Sequence, residues 1–177
     1  MRFVVVHLLG SHSAYDLWFP AEFGNFKTET NLDKRVLERR GLMDYLYRGS
    51  RVELNNAYDD TILYDDSAVY GIIKLVRELT RDYSIFYVSD HGEALGETGR
   101  YVGHMDAEAP KQVYQVARFF VLSHGVEAAL GGVAMKSLRA NLHKRFETNG
   151  LIHSMLSLYD VPHDQWMSHK SLFSSDY

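Results

Sequence analysis

The chain has 177 residues, with a hydrophobic share of 46%, a charged share of 24% and a formal net charge of -4. That length suits about one domain with a real core, and the negative balance argues against a nucleic-acid surface, which needs dense Lys and Arg. There is no cysteine, which excludes a disulfide framework, a thiolate-held zinc and a cysteine nucleophile within the chain.

Residues 3–9 (FVVVHLL) form a continuous β-rich run, the kind buried on both faces of a parallel sheet. His7 inside it reads as structural. The run is too short to span a membrane, no longer apolar stretch follows, and the small-residue cleavage pattern of a signal peptide is missing. A buried-strand pattern directly after Met1-Arg2 suggests a chain that starts inside a larger domain. Residues 10–20 (GSHSAYDLWFP) are a loop punctuated by Gly10, Ser11 and Pro20. Residues 31–49 read as one or two charged helices, and the basic stretch 34–40, interrupted by Glu38, as a solvated helix face.

From residue 55 to 80 the period changes. Ile62, Val69, Ile72, Ile73, Val76 and Leu79 recur at spacings of three, four and seven, which predicts one face of a long helix. A second strand follows at 83–89 (YSIFYVS), then a long Gly-containing loop over 92–111, of the length that is functional when it occurs inside a domain. Residues 117–123 (ARFFVLS) are a third strand. SLRANLHKRF and LIHSMLSLYDV, at 137–146 and 151–161, are helices. The order predicts a single α/β domain over 1–177, a three-layer α/β/α arrangement with a mainly parallel sheet.

In such sheets ligands bind at the carboxyl ends of the strands. Two strands end in chemistry here: the first in Gly10-Ser11-His12, the second in Ser89-Asp90-His91-Gly92. Asp90 and His91 together suit zinc or manganese, with Gly92 letting the backbone turn away. The residues alone also allow a plainer account, with Asp90 as a cap and His91 as a loop histidine. The acidic pairs Asp59-Asp60 and Asp65-Asp66 read as capping and solvated-face residues.

The longer string YVSDHGEALGETGRY closely resembles the metal-binding signature of the alkaline-phosphatase-like superfamily, in its sulfatase and phosphoethanolamine transferase branch. Three further segments resemble the transferases in the right order. VVVHLLGSHSAYDLWFP is similar to their V-x-H-x-x-G-S-H-x-x-Y segment, NNAYDDTILYDDSAV to their helix start, and LIHSMLSLYDV to a helix near their C-terminus. The resemblance implies a partial alkaline-phosphatase-like domain, the C-terminal portion of a catalytic domain.

It implies that Asp90 and His91 are ligands of a divalent metal, zinc (Zn²⁺) first and manganese (Mn²⁺) second. His12 matches a histidine beside the transferred phosphate. His104 stands near another substrate-side histidine, one residue late, because YVGHM replaces a Y-L-H-G order. Glu93 either orients a ligand from behind or is a helix N-terminal carboxylate. The implied reaction is a double displacement through a metal-activated threonine. That threonine and a further acidic ligand belong to a portion preceding residue 3, so this chain by itself is expected to be inactive. The implied partners are a phosphatidylethanolamine donor and a glycan or lipid acceptor such as lipopolysaccharide, in a membrane-anchored parent on the periplasmic face of the bacterial inner membrane. A sulfatase using an upstream C/S-x-P-x-R motif is the nearest alternative, and a non-catalytic metal- or glycan-binding member is another.

Overall fold

The helical period read after residue 55 becomes the longest element of the computed structural model, which describes residues 2–26, 51–97, 99, 101–104 and 109–177. The charged segment 31–49 and its basic stretch lie outside the described residues. In chain order the elements are α1 (Arg51–Leu79), β1 (Ser84–Val88), β2 (Ala94–Leu95), β3 (Val102–Gly103), β4 (Arg118–Leu122), α2 (His124–Asn141) and α3 (Leu151–Leu158), with short 3-10 turns between them.

Helix α1 buries Leu54, Ala57, Asp60 and Thr61, a stripe at helical spacing in its first half. The expected stripe further along is shallower: Ile62 is 46% exposed and Leu79 is 74% exposed. Asp60 overturns its reading as a solvated residue. It lies on the buried side of α1, and its Oδ1 accepts from the backbone N–H groups of Asn25 at 2.7 Å and Phe26 at 3.1 Å.

The chain divides into two compact units, one of Met1–Leu75 with His91–Ala117, the other of Val76–Asp90 with Arg118–Tyr177. In the first, Ala14, Tyr15, Leu54 and Ala57 form the core, and Tyr58, Leu95 and Val102 pack on it. The long loop expected over 92–111 contains the antiparallel hairpin β2–β3. In the second unit β1 pairs antiparallel with β4, and the rings of Phe86 and Phe120, directly opposite, lie 4.4 Å apart. Ser123 starts α2 by accepting the Val126 N–H on its hydroxyl at 3.3 Å. Met135 and Leu138 of α2 close a core with Leu172 and Phe173.

Two expectations change. Residues 3–9 form no strand, and Phe3, Val4, Val5, Val6 and Leu9 are all between 55% and 76% exposed, with His7 exposed among them. An apolar run becomes a buried strand only where a partner completes its hydrogen-bond ladder, and residues 3–9 belong to neither of the two sheets of the described residues. The strands at 84–88 and 118–122 form where expected, but both sheets of the described residues are two-stranded and antiparallel. Orientation is invisible in such runs, since burial on both faces looks alike in either direction.

Candidate functional site

The site is built by strand register. Ala94 stands opposite Gly103 and Leu95 opposite Val102, so the next pair outward is Glu93 with His104. Their side chains meet: His104 Nδ1 donates to Glu93 Oε2 at 2.9 Å. His91 lies two residues back, the spacing that returns a side chain to the same face of an extended chain. Its Nδ1 is 3.9 Å from the same carboxylate oxygen, and its ring stacks on His104 with centroids 3.7 Å apart.

The hairpin is held at both ends. At its tip Gly96 and Gly99 take φ of 90° and 137°, and the Arg51 guanidinium at the start of α1 donates to both carbonyl oxygens. A side chain at Gly96 would run into that guanidinium. At its base the Gly92 N–H donates to the Val113 carbonyl at 2.7 Å, and a side chain at Gly92 would strike the Gln112 carbonyl oxygen. Gly92 is therefore needed for close approach of two backbones, a different reason from the turn expected of it.

The three histidines of interest share one tautomer. His91 Nδ1 contacts the Gly92 carbonyl oxygen at 2.9 Å, and His12 Nδ1 contacts the Ser13 carbonyl oxygen at 2.6 Å. A carbonyl oxygen only accepts, so each Nδ1 carries a proton, and in the neutral ring the lone pair is on Nε2. The Glu93 carboxylate sets the same tautomer in His104. Glu93 is itself fixed from behind: the Tyr15 hydroxyl donates to its Oε1 at 2.9 Å. Tyr15 is fully buried, edge-on to Tyr58 with centroids 5.3 Å apart.

Of the residues expected at the site, the structure brings together His91, Glu93 and His104, which offer one ligand atom each within 4.8 Å of one another. Two imidazoles and a carboxylate are a donor set that fits a borderline divalent ion such as zinc. Asp90 is exposed and is not one of the three. His12 is exposed on its own loop, where its ring lies edge-on to Trp18 at 6.2 Å. Beside it the Ser11 hydroxyl donates to Asp65 Oδ2 at 3.2 Å, and burial raises the Asp65 carboxyl above its ordinary value. Tyr15 received no role from sequence, although it closes the GSHSAY string; its signal was an aromatic residue placed three after His12.

Comparison with known proteins follows this geometry. The sulfatase family model matches residues 2–161. Phosphoethanolamine transferase EptA of Helicobacter pylori is 32% identical over 114 residues, 64% of this chain and 20% of EptA. The chain thus spans about a fifth of the length of that curated relative. The C-terminal periplasmic domain of phosphoethanolamine transferase EptC from Campylobacter jejuni superposes with a TM-score of 0.74 at 27% identity, covering 96% of this chain and 50% of that one. The zinc complex of the corresponding EptC domain from Escherichia coli superposes with a TM-score of 0.76 at 22% identity, covering 97% and 44%. Among the described residues no helix is long and apolar enough to cross a membrane. The chain belongs to the sulfatase family, in its phosphoethanolamine transferase branch.

Proposed function

We propose that the chain is part of the catalytic domain of a metal-dependent phosphoethanolamine transferase at the periplasmic face of the bacterial inner membrane. The donor is phosphatidylethanolamine and the acceptor is lipopolysaccharide or another envelope glycan or lipid. The fold the chain belongs to is the alkaline-phosphatase-like one. The observation that carries this reading is the meeting of His91, Glu93 and His104 on a hairpin of fixed register.

The metal would be divalent, zinc before manganese, and Asp90 and His91 would hold it; bound there it would supply Lewis acidity. His91 offers Nε2, because its Nδ1 proton is engaged by the Gly92 carbonyl. Glu93 holds the Nδ1 proton of His104, which leaves His104 Nε2 to exchange a proton with the phosphate group or to donate to it when charged. His12 offers Nε2 in the same way from its exposed loop. Asp90 enters through the SDHGE resemblance alone.

The nucleophilic threonine is assigned to another part of the parent protein. Thr61 does not suit that role: it is 1% exposed and its hydroxyl donates to the Tyr58 carbonyl at 2.6 Å. Residues 1–177 alone are accordingly expected to give no turnover.

A second reading makes Glu93 and His104 ligands together with His91, and the 4.8 Å clustering favours it. Calorimetric zinc titration of wild type, Asp90→Ala, His91→Ala, Glu93→Gln and His104→Ala separates the two. The first reading expects a loss of affinity of about tenfold or more in the Asp90 and His91 variants and a smaller loss in the others. Equal losses at Glu93 and His104, with Asp90→Ala unchanged, establish the second. Wild-type affinity in every variant removes the metal site.

A further inference from the structure

Tyr15 is a buried, ionisable side chain outside the proposed chemistry, yet it touches that chemistry at one remove. The side chain of Glu93 is only 5% exposed, and its two oxygens are divided between two partners. Oε1 receives the Tyr15 hydroxyl at 2.9 Å, and Oε2 receives His104 Nδ1 at 2.9 Å. A carboxylate with one oxygen tied down cannot rotate about its own axis without breaking that bond. The other oxygen is then held where the imidazole proton points.

We propose that Tyr15 is a positioning residue: its hydroxyl locks the Glu93 carboxylate, and through it fixes His104 in the tautomer that keeps Nε2 unprotonated. The phenol suits this task. It is rigid, it is held edge-on by Tyr58, and it lies in the core with Ala14, Leu54 and Ala57. It also sits three residues after His12, so one loop carries a phosphate-side histidine and the group that orients the other. Without the phenolic bond, Glu93 is free to turn, and His104 samples both tautomers. Encounters with the other tautomer then present an N–H where a lone pair is required. The role of His104 rests on the proposed function; the locking of Glu93 does not.

The test is the nitrogen spectrum of the histidine side chains in the protein without added metal, recorded at an alkaline pH at which the spectrum itself shows neutral rings. Wild type is expected to show His104 with a pyrrole-like Nδ1 and a pyridine-like Nε2. In Tyr15→Phe, which keeps the ring and removes the hydroxyl, both His104 signals are expected to move towards the average of the two forms. His12, whose Nδ1 bonds the Ser13 carbonyl, is expected to stay in place. Leu54→Ala disturbs the same core without touching the hydrogen bond and controls for loosened packing.

An unchanged His104 tautomer in Tyr15→Phe overturns the proposal, as does an equal movement in Leu54→Ala. Zinc titration of the same samples keeps the two ideas apart. A wild type that binds no zinc but responds to Tyr15→Phe as expected breaks the metal reading and leaves the positioning role standing.

Discussion

In the unit formed by Val76–Asp90 and Arg118–Tyr177, the buried polar side chains are neutral and short. Asn141 Nδ2 donates to the carbonyls of Leu172 and Ser174 at 3.1 and 2.8 Å, and the Ser154 hydroxyl accepts the Leu172 N–H at 3.0 Å. These groups fasten the C-terminal segment to helices α2 and α3 around an apolar core. The other unit also buries a neutral hydroxyl, that of Thr61, but beside it stand three ionisable groups taken from water: Asp60, the Tyr15 phenol and the carboxylate of Glu93. A buried charge costs far more than a buried amide unless it is fully paired. A fold that spends ionisable groups in this way does so where a charge anchors a loop or orients a reactive side chain. Neutral satisfaction in the one unit serves stability, and ionic satisfaction in the other serves geometry.

The contrast can be broken by substitution. The largest effect is expected at Leu172, fully buried in the neutral unit. Leu172→Ala should lower unfolding free energy by about 2–5 kcal/mol, and the volume-conserving Leu172→Met by less than about 1.5 kcal/mol. Denaturant titration measures both, and equal losses would mean that volume is not what that core responds to.

Asp60 tests the ionic unit. Asp60→Ala leaves the Asn25 and Phe26 N–H groups without their acceptor, at a cost of about 1–3 kcal/mol. Both bonds go to a single oxygen, which Asn also possesses, so Asp60→Asn loses only the charge-assisted share. If Asp60→Asn unfolds at the same denaturant concentration as wild type, charge contributes nothing there and the contrast reduces to hydrogen-bond geometry.

The smallest effect concerns Asp65. Burial raises its folded-state value above that of the unfolded chain, so the native protein binds the proton more tightly. Between the unfolded and the folded value, stability therefore falls as pH rises, and the full penalty is present at neutral pH. Asp65→Asn retains an acceptor for Ser11 and should flatten that acidic slope while slightly raising stability at neutral pH. A steeper slope in the variant would show that the carboxylate is favoured by its site rather than penalised.

Much of this was legible in the residues. The helix over 51–79 and the strands at 84–88 and 118–122 follow from hydrophobic spacing, although the residues the helix buries, Leu54, Ala57, Asp60 and Thr61, lie outside the stripe that predicted it. The run at 3–9 misled because apolar composition reports what would be gained by burial, not whether a partner strand is present. Asp60 misled because a carboxylate looks solvated until the loop that donates to it is known. His91 and His104 were named from resemblance, His104 one residue late because of the order GHM. In the structure the pairing of Ala94 with Gly103 puts residue 104 across from residue 93. Ala-Leu and Val-Gly flanking a glycine-rich turn were the available signal. Tyr15 carried a signal in its place three residues after His12, but its contact with Glu93 exists only in the folded chain.

The Arg51 contacts to the Gly96 and Gly99 carbonyls carry a consequence for how this site can vary. A hairpin has parity: slipping one strand by a single residue sends every side chain to the opposite face, while a slip of two restores the face with new neighbours. A tip clamped by a guanidinium is expected to resist such slippage, and Arg51 supplies that clamp from the start of α1.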